Sequence, residues 1–305
     1  MKKFLIKISF MFISLASVIW IIILIPLPEN AYDFAMIDKH RILAGTKSPK
    51  IVLAGGSNLA FGVDSAEIQK ELNIPVVNTG LHIGFGLGRI LDDISPFLNP
   101  GDILLIAPEY SPFTNVWNGN GAAYELIFDV GQYRLLWSLF YGLPDGFTSY
   151  LSTHLRVIIQ KYSATPLNPL AYSRNGFNEY GDFLKHLDME NQPFSSINDL
   201  GFINRTYLKH FFHFVDNFAR RGITVVLSYP CYEEQSFRNS AGFIQELDTA
   251  FRAKKNLLVI SNPASYCFPA SYFFDSGYHL NKEGRPLRTR QLIQDLQASG
   301  LFTGP

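Results

Sequence analysis

Five short runs of apolar residues, rich in Val, Ile and Leu, constrain the fold of this chain more than any other feature. They lie at residues 50–54, 75–78, 102–107, 223–228 and 257–260. None of them alternates apolar with polar residues, which is typical of parallel strands covered on both faces. Segments with helical apolar spacing, such as 64–72 and 206–221, separate several of the runs. This alternation predicts an α/β fold, a three-layer α/β/α sandwich whose parallel sheet has about five strands.

A long aromatic and polar segment, residues 111–200, breaks this alternation. We interpret it as an insertion in one domain that spans 50–305, because strand-like runs continue after it. In open α/β sheets, ligands bind beyond the carboxyl ends of the strands. An insertion that leaves the third strand at its carboxyl end would therefore overhang the ligand site.

The N-terminal residues 1–28 predict a membrane anchor. Lys2, Lys3 and Lys7 precede a run, 8–25, that contains no charged residue. This run is at the lower end of the ~17–25 residues that span a bilayer as a helix. The lysines would stay on the cytoplasmic side, so we expect a single-pass protein of the cytoplasmic membrane with an extracytoplasmic domain.

A cleaved signal peptide is the alternative interpretation of the same segment. Its apolar core should be about 7–15 residues long and end in a small-x-small site. Here the small-x-small pattern at 14–16 lies within the apolar run, which continues past it. We therefore favour an uncleaved anchor, followed at 29–49 by a polar juxtamembrane linker with a short helix.

Charge, cysteine and histidine patterns leave several other classes without support. The 305 residues carry 26 basic and 26 acidic side chains, whereas a nucleic-acid-binding protein usually shows a basic patch or stripe. We expect no nucleic-acid partner.

Cys231 and Cys267 are compatible with a disulfide in an oxidising compartment and equally with two unpaired thiols. His210 and His213 have a metal-ligand spacing, but no carboxylate or cysteine pattern completes it, so we expect neither metal nor cofactor.

The residues after the first strand offer a candidate nucleophile. Gly55, Gly56, Ser57 and Asn58 follow the apolar run directly, which places Ser57 at the ligand-facing end of the strand. Gly56 removes side-chain bulk and permits an unusual backbone angle. Backbone N–H groups at the start of the next helix can point at an anion, as a developing oxyanion requires. A turn without chemistry, and a loop that holds a sugar phosphate, are the alternatives.

A base for Ser57 is expected near the C-terminus. Asp275 and His279 lie four residues apart, between the last strand and the last helix, at the same sheet edge. His279 would accept the Ser57 proton and Asp275 would orient the imidazole. We expect Gly277 to adopt a positive backbone angle that lets the loop fold back. Alternatively, His279 only caps or packs the start of the last helix.

The order of these motifs resembles that of the SGNH (GDSL-like) hydrolase superfamily, which has a flavodoxin-like fold. The matching segments are AGGSN at 54–58, NTG at 78–80 and DSGYHLNKEGR at 275–285. More narrowly, the chain looks like the membrane-anchored, extracytoplasmic SGNH-like proteins of bacteria. These include proteins of exopolysaccharide O-acetylation and the D-alanyl transfer protein of teichoic acid modification. The resemblance covers residues 50–110 and 200–300, and not the insertion.

This resemblance implies a role for each matching residue. Ser57 matches the nucleophile, His279 the base and Asp275 the acid, while the backbone N–H groups of Ser57 and Gly80 belong to the oxyanion hole. His82, just after Gly80, is expected to border the substrate. The implied activity is that of a serine esterase or O-acyltransferase acting on a cell-envelope glycan or its lipid-linked form. The alternative is an inactive glycan-binding protein or scaffold that partners a membrane-bound acyltransferase.

Two positions depart from the superfamily pattern. The acid normally precedes the histidine by three residues, where this chain has Ser276. The third motif normally supplies an asparagine after the third strand, whereas this chain reads IAPEYSPF at 106–113. Tyr110 and Asn58 are the alternative donors expected in the oxyanion hole. Ionised Glu109 cannot donate a hydrogen bond, and we expect it to contact the substrate instead.

Overall fold

The computed structural model describes residues 1–25, 27, 29–131, 146–162 and 172–302. Its main sheet consists of five parallel strands in the order β2-β1-β3-β4-β6, and β5 and β7 pair in a separate two-stranded sheet. The strands of the described chain are β1 (Ile51–Ala54), β2 (Val76–Asn78), β3 (Ile103–Ile106), β4 (Thr224–Leu227), β5 (Tyr232–Glu233), β6 (Leu258–Val259) and β7 (Cys267–Phe268). The predicted α/β fold with a five-stranded parallel sheet is confirmed.

Helices cover both faces of the main sheet. Successive strand residues point to opposite faces, so each strand packs against the helices on both sides. Val52 and Ala54 of β1 pack with α5, α8 and α10, whereas Ile51 and Leu53 pack with α3, α4 and α11. The helices of the described chain are α1 (Lys2–Leu24), α2 (Ala35–Gly45), α3 (Ser57–Gly62), α4 (Ser65–Leu72), α5 (Leu87–Ile94), α6 (Gly121–Tyr124), α7 (Phe147–Tyr162), α8 (Arg205–Arg220), α9 (Glu234–Asn239), α10 (Ala241–Arg252) and α11 (Gly284–Ala298).

The segment 29–49 contains the expected short helix, α2, and this helix is packed into the domain. Leu43 joins the core that lies on the α5 side of the sheet. Lys39 is buried, and its Nζ donates hydrogen bonds to the carbonyl oxygens of Asn78, at 3.0 Å, and Gly181, at 2.5 Å. Burial lowers the pKa of Lys39 to about 7. Helix α2 therefore joins the end of β2 to the insertion.

Helix α1 is 23 residues long and apolar enough to cross a membrane. Its side chains are largely exposed, but its C-terminal part contacts the insertion. Trp20 packs edge-on against Phe128, with 6.4 Å between ring centroids. The ring Nε2 of His154, on α7, donates a hydrogen bond to the carbonyl oxygen of Ile22 at 3.0 Å.

Cys231 and Cys267 are free thiols. Cys231 is buried, and its Sγ donates a hydrogen bond to the carbonyl oxygen of Tyr278 at 2.9 Å. Burial raises the pKa of this thiol to about 11, so Cys231 stays protonated at neutral pH.

One buried carboxylate, that of Asp182, holds the insertion to the carboxyl edge of the sheet. It accepts hydrogen bonds from the backbone N–H of Ser65 at 2.8 Å and from the Ser65 hydroxyl at 2.6 Å. It also accepts from Asn78 Nδ2 at 2.8 Å and from Arg285 Nη2 at 3.2 Å. Asp182 thereby fixes the start of α4, the end of β2 and the start of α11 relative to one another.

We expect Asp182→Ala to lower the free energy of unfolding by about 3–5 kcal/mol, because it leaves the donors of Ser65 and Asn78 buried without this acceptor and removes one of the two carboxylates that face Arg285. Asp188→Ala removes an exposed carboxylate of the same insertion and should change this free energy by less than ~0.5 kcal/mol. Urea unfolding of the full chain in detergent, followed by tryptophan fluorescence, measures both. Equal midpoints for Asp182→Ala and wild type would contradict the role given to this carboxylate.

Candidate active site

The structure brings Ser57, His279 and Asp275 together at the carboxyl edge of the main sheet. The His279 Nε2 lies 2.7 Å from the Ser57 Oγ, and the His279 Nδ1 lies 2.7 Å from Asp275 Oδ1. An imidazole whose Nδ1–H donates to a carboxylate presents an unprotonated Nε2 to the serine hydroxyl. This is the geometry of a nucleophile, its base and the group that orients the base.

The turn that carries Ser57 is closely surrounded by neighbouring backbone, which explains its two glycines. A Cβ at Gly55 would lie 2.6 Å from the carbonyl oxygen of Ala107, and one at Gly56 would lie 2.7 Å from Ile83 Cβ. Gly56 has φ −89°, so its backbone angle is ordinary. Of the two reasons expected for a glycine here, the removal of side-chain bulk is the one that the structure supports.

The His279 ring is held between α3 and the insertion. It stacks on Phe61, with ring centroids 4.2 Å apart and planes 14° from parallel. His186 packs against the same phenylalanine at 4.5 Å, and its Nε2 donates to the carbonyl oxygen of Leu280. Since Phe61 and Ser57 both belong to α3, one short helix positions the nucleophile and a face of the base.

A tight loop accommodates the extra residue between Asp275 and His279. The Phe274 N–H donates to the carbonyl oxygen of His279 at 2.7 Å, which closes the loop. The expectation that Gly277 has a positive φ is wrong, because this residue is not among those with a positive φ. Its carbonyl oxygen accepts from the Glu233 N–H, and a Cβ would lie 3.3 Å from Glu233 Cβ. The glycine instead permits close packing on β5.

Tyr172, an insertion residue that the sequence did not single out, joins this group. Its hydroxyl donates a hydrogen bond to Asp275 Oδ2 at 2.6 Å and lies 3.1 Å from His279 Nδ1. Burial alone would raise the pKa of Asp275, but the hydrogen bonds from His279 and Tyr172 and the His279 charge hold it below its usual range. Asp275 therefore stays ionised beside the imidazole and stabilises its protonated form.

The donors expected in the oxyanion hole differ in what they already bind. The Gly80 N–H donates to Asn78 Oδ1 at 2.9 Å. The Asn58 side chain is directed into the core, where it donates to the carbonyl oxygen of Ala107 and accepts from Arg288 Nη2. Ser57 is the first residue of α3, so its N–H has no acceptor within the helix. The Asn58 backbone N–H donates to Glu109 Oε1 at 3.3 Å, so the Ser57 N–H is the backbone donor of this set that has no hydrogen-bond acceptor among the described residues.

Of the two residues that follow the third strand, Glu109 faces Ser57 and Tyr110 does not. Glu109 Oε1 lies 3.4 Å from Ser57 Oγ and 3.3 Å from the Asn58 nitrogen. The Tyr110 ring packs against Tyr232 at 5.1 Å in the core. Its hydroxyl has no hydrogen-bond partner within the described ranges. The structure therefore does not bring Tyr110 to the oxyanion hole, and this geometry contradicts its expected role as a donor.

His82 lies beside a cavity of about 370 Å³ that is also lined by residues of α6 and α7. Its Nδ1 accepts a hydrogen bond from the Gly84 N–H at 2.8 Å. The next residue, Ile83, contacts the turn at Gly56, so the cavity is a neighbour of the Ser57 site. In the part of the chain that the structure describes, no group of three side chains is arranged to hold a metal ion.

We expect Asp275→Asn to lower the rate at which a fluorophosphonate probe modifies Ser57. An amide cannot stabilise the imidazolium, and loss of a triad aspartate costs about 10⁴ in turnover in the best-studied case. Gel fluorescence over time measures the rate, and circular dichroism checks the fold. A rate within a few-fold of wild type would show that Asp275 is structural and that another group orients His279.

Tyr172→Phe tests the second contact of the same carboxylate. It should slow the modification of Ser57 by about tenfold or more, because a hydrogen bond to a charged group contributes roughly 1.5–3 kcal/mol. Tyr180→Phe is the matched control, since this insertion tyrosine contacts Gln69 rather than the site. Equal rates for both variants and wild type would mean that Tyr172 does not support Asp275.

Comparisons with protein-family models, with curated proteins and with solved structures found no match for this chain.

Proposed function

We propose that this chain is a serine esterase or O-acyltransferase of the SGNH type, in which Ser57 forms a covalent acyl-enzyme. The observation that carries the proposal is the linear arrangement of Ser57, His279 and Asp275, with both contacts at 2.7 Å. The turn at Gly56 lies between the loop after β2 and the residues after β3. This arrangement supports the resemblance seen in the motif order.

The proposed reaction transfers an acyl group in two steps. Ser57 Oγ attacks the ester carbonyl while His279 Nε2 takes the hydroxyl proton, and the tetrahedral adduct then expels the alcohol, which receives that proton. In the second step His279 deprotonates a water or a glycan hydroxyl, which attacks the acyl-enzyme and releases Ser57. Asp275, supported by Tyr172, stabilises the imidazolium formed in each step.

We propose a cell-envelope glycan, or its lipid-linked form, as the substrate or acceptor. Helix α1 would anchor the chain in the cytoplasmic membrane, and the lysines at its start would stay in the cytoplasm, which puts the domain outside. A membrane-bound acyltransferase that supplies the acyl group is a candidate partner. The cavity beside His82 has a volume of about 370 Å³, which is within the range of small-ligand sites.

Glu109 is the observation that favours a second candidate, an inactive glycan-binding or scaffold protein. It stands where the superfamily supplies an asparagine donor, so an ionised Glu109 would oppose an oxyanion. The same carboxyl group argues against a third interpretation, in which the turn holds a sugar phosphate, because its Oε1 already accepts the Asn58 N–H at 3.3 Å and so occupies a donor that the phosphate would need.

The enzyme is distinguished from the scaffold by fluorophosphonate labelling and by hydrolysis of p-nitrophenyl acetate. We expect wild type and Ser271→Ala, which removes an exposed hydroxyl, to be labelled and to turn over ester, because both retain the nucleophile. Ser57→Ala should lose both properties. Labelling that is equal in Ser57→Ala and wild type would refute the proposed nucleophile, and a wild type that is never labelled would favour the scaffold.

A further inference from the structure

We propose that Glu109, as a neutral carboxylic acid, is a hydrogen-bond donor of the oxyanion hole. The proposal rests on the proposed function of Ser57. Glu109 Oε1 lies 3.4 Å from Ser57 Oγ and 3.3 Å from the Asn58 nitrogen. In the tetrahedral adduct the substrate oxyanion is bonded to the carbon that Oγ attacks. Because Oε1 accepts the Asn58 N–H and lies next to Oγ, the Glu109 carboxyl lies beside the position where negative charge develops.

The packing of the turn fixes the carboxyl group in this position. A Cβ at Gly56 would lie 2.6 Å from Glu109 Oε1, so the carboxyl fills the space that the glycine leaves. Glu109 is 5% exposed and directly follows the segment that runs from β3. A side chain held between the turn and the core has little freedom to leave the Ser57 hydroxyl.

The surroundings of Glu109 favour its neutral form. The Asn58 N–H that donates to it is uncharged, and among the described residues no lysine or arginine forms an ion pair with Glu109. Burial raises the pKa of Glu109, and the His279 charge opposes this shift. A buried carboxylate without a cation is costly, so such a group neutralises instead. A neutral carboxylic acid donates one hydrogen bond, which an ionised carboxylate cannot.

The buried groups whose pKa the Glu109 charge raises do not themselves change charge near neutral pH. They are Tyr32, Tyr172, Tyr232, Tyr278 and Cys231, and burial raises the pKa of each. His279 also acts on the Glu109 carboxyl, and it must be neutral to accept the Ser57 proton. Activity would therefore fall at high pH, where Glu109 loses the proton that it donates to the oxyanion.

The closing experiment compares Glu109→Gln with Glu109→Ala in the full chain, with p-nitrophenyl acetate as substrate and fluorophosphonate labelling in parallel. We expect Glu109→Gln to retain activity within about tenfold of wild type. Its activity should not decrease at high pH, because its amide N–H donates at every pH. Glu109→Ala should lose about 10²–10³ in rate across the pH range, the cost of one oxyanion-hole donor.

A measurement independent of activity tests the charge state of Glu109. The folded protein holds this proton more tightly than the unfolded chain, so the contribution to stability is complete below the ordinary glutamate pKa. This contribution is lost as pH rises from the ordinary glutamate pKa through the raised pKa of Glu109 in the folded protein. The free energy of unfolding of wild type, measured relative to Glu109→Gln, should fall over this window.

Three outcomes would overturn the inference. In the first, Glu109→Gln is as slow as Glu109→Ala although its circular dichroism spectrum is native. In the second, the decrease of activity at high pH persists in Glu109→Gln. In the third, the rate of Glu109→Ala equals that of wild type. In each case a wild type labelled at Ser57 leaves the proposed function standing. A wild type that is not labelled at any pH would overturn both.

Discussion

Close packing of three chain segments around the turn after β1 is the constraint on which the site depends. Because β1 lies between β2 and β3, the segments that leave these strands flank the turn on both sides. Gly55 and Gly56 have no side chains, so Ala107 and Ile83 approach the turn directly. Buried Arg288 secures the turn from the other side, since its guanidinium donates to the backbone and side-chain oxygens of Asn58. Arg288 belongs to α11, the helix that follows the loop of His279, so one guanidinium also links the turn of Ser57 to the element that follows His279.

The surroundings of two carboxyl groups near Ser57 shift their pKa values in opposite directions. Asp275 has two hydrogen-bond donors, the imidazole of His279 and the hydroxyl of Tyr172, which favour its ionised form. Glu109 is more deeply buried and forms no ion pair with a cation of the described residues, which favours its protonated form. Pairs of titratable groups whose pKa values are pushed apart mark the division of labour in many active sites. Under the proposed mechanism, Asp275 would stabilise positive charge on His279, and Glu109 would stabilise negative charge on the substrate.

The strands and the order of the site motifs could be predicted from the sequence, because both depend on local patterns. Strands buried on both faces need unbroken apolar runs, and the carboxyl ends of parallel strands share an edge, so Ser57 and His279 were expected together. The choice between Glu109 and Tyr110 could not be made in this way. Neighbouring side chains point in different directions, and which one faces the site depends on how the chain leaves β3. Tyr172 is 103 residues from Asp275, and no local pattern marks a contact of that range. The backbone conformation of Gly277 depends on its packing against β5, and no local sequence pattern predicts this contact either.

The contact between α1 and the insertion has a consequence for how Ser57 meets its substrates. Ile22 and Trp20, in the last two turns of α1, touch His154 and Phe128 of the insertion, and Tyr172 of the same insertion touches Asp275. Under the proposed topology, the domain does not swing freely on a tether. Instead, the face that carries Ser57 would keep one height and one direction relative to the lipid headgroups. On the proposed function, encounters with substrate would then be a search in two dimensions, which would favour acyl carriers and glycans that are still attached to lipid over polymer that has already left the membrane surface.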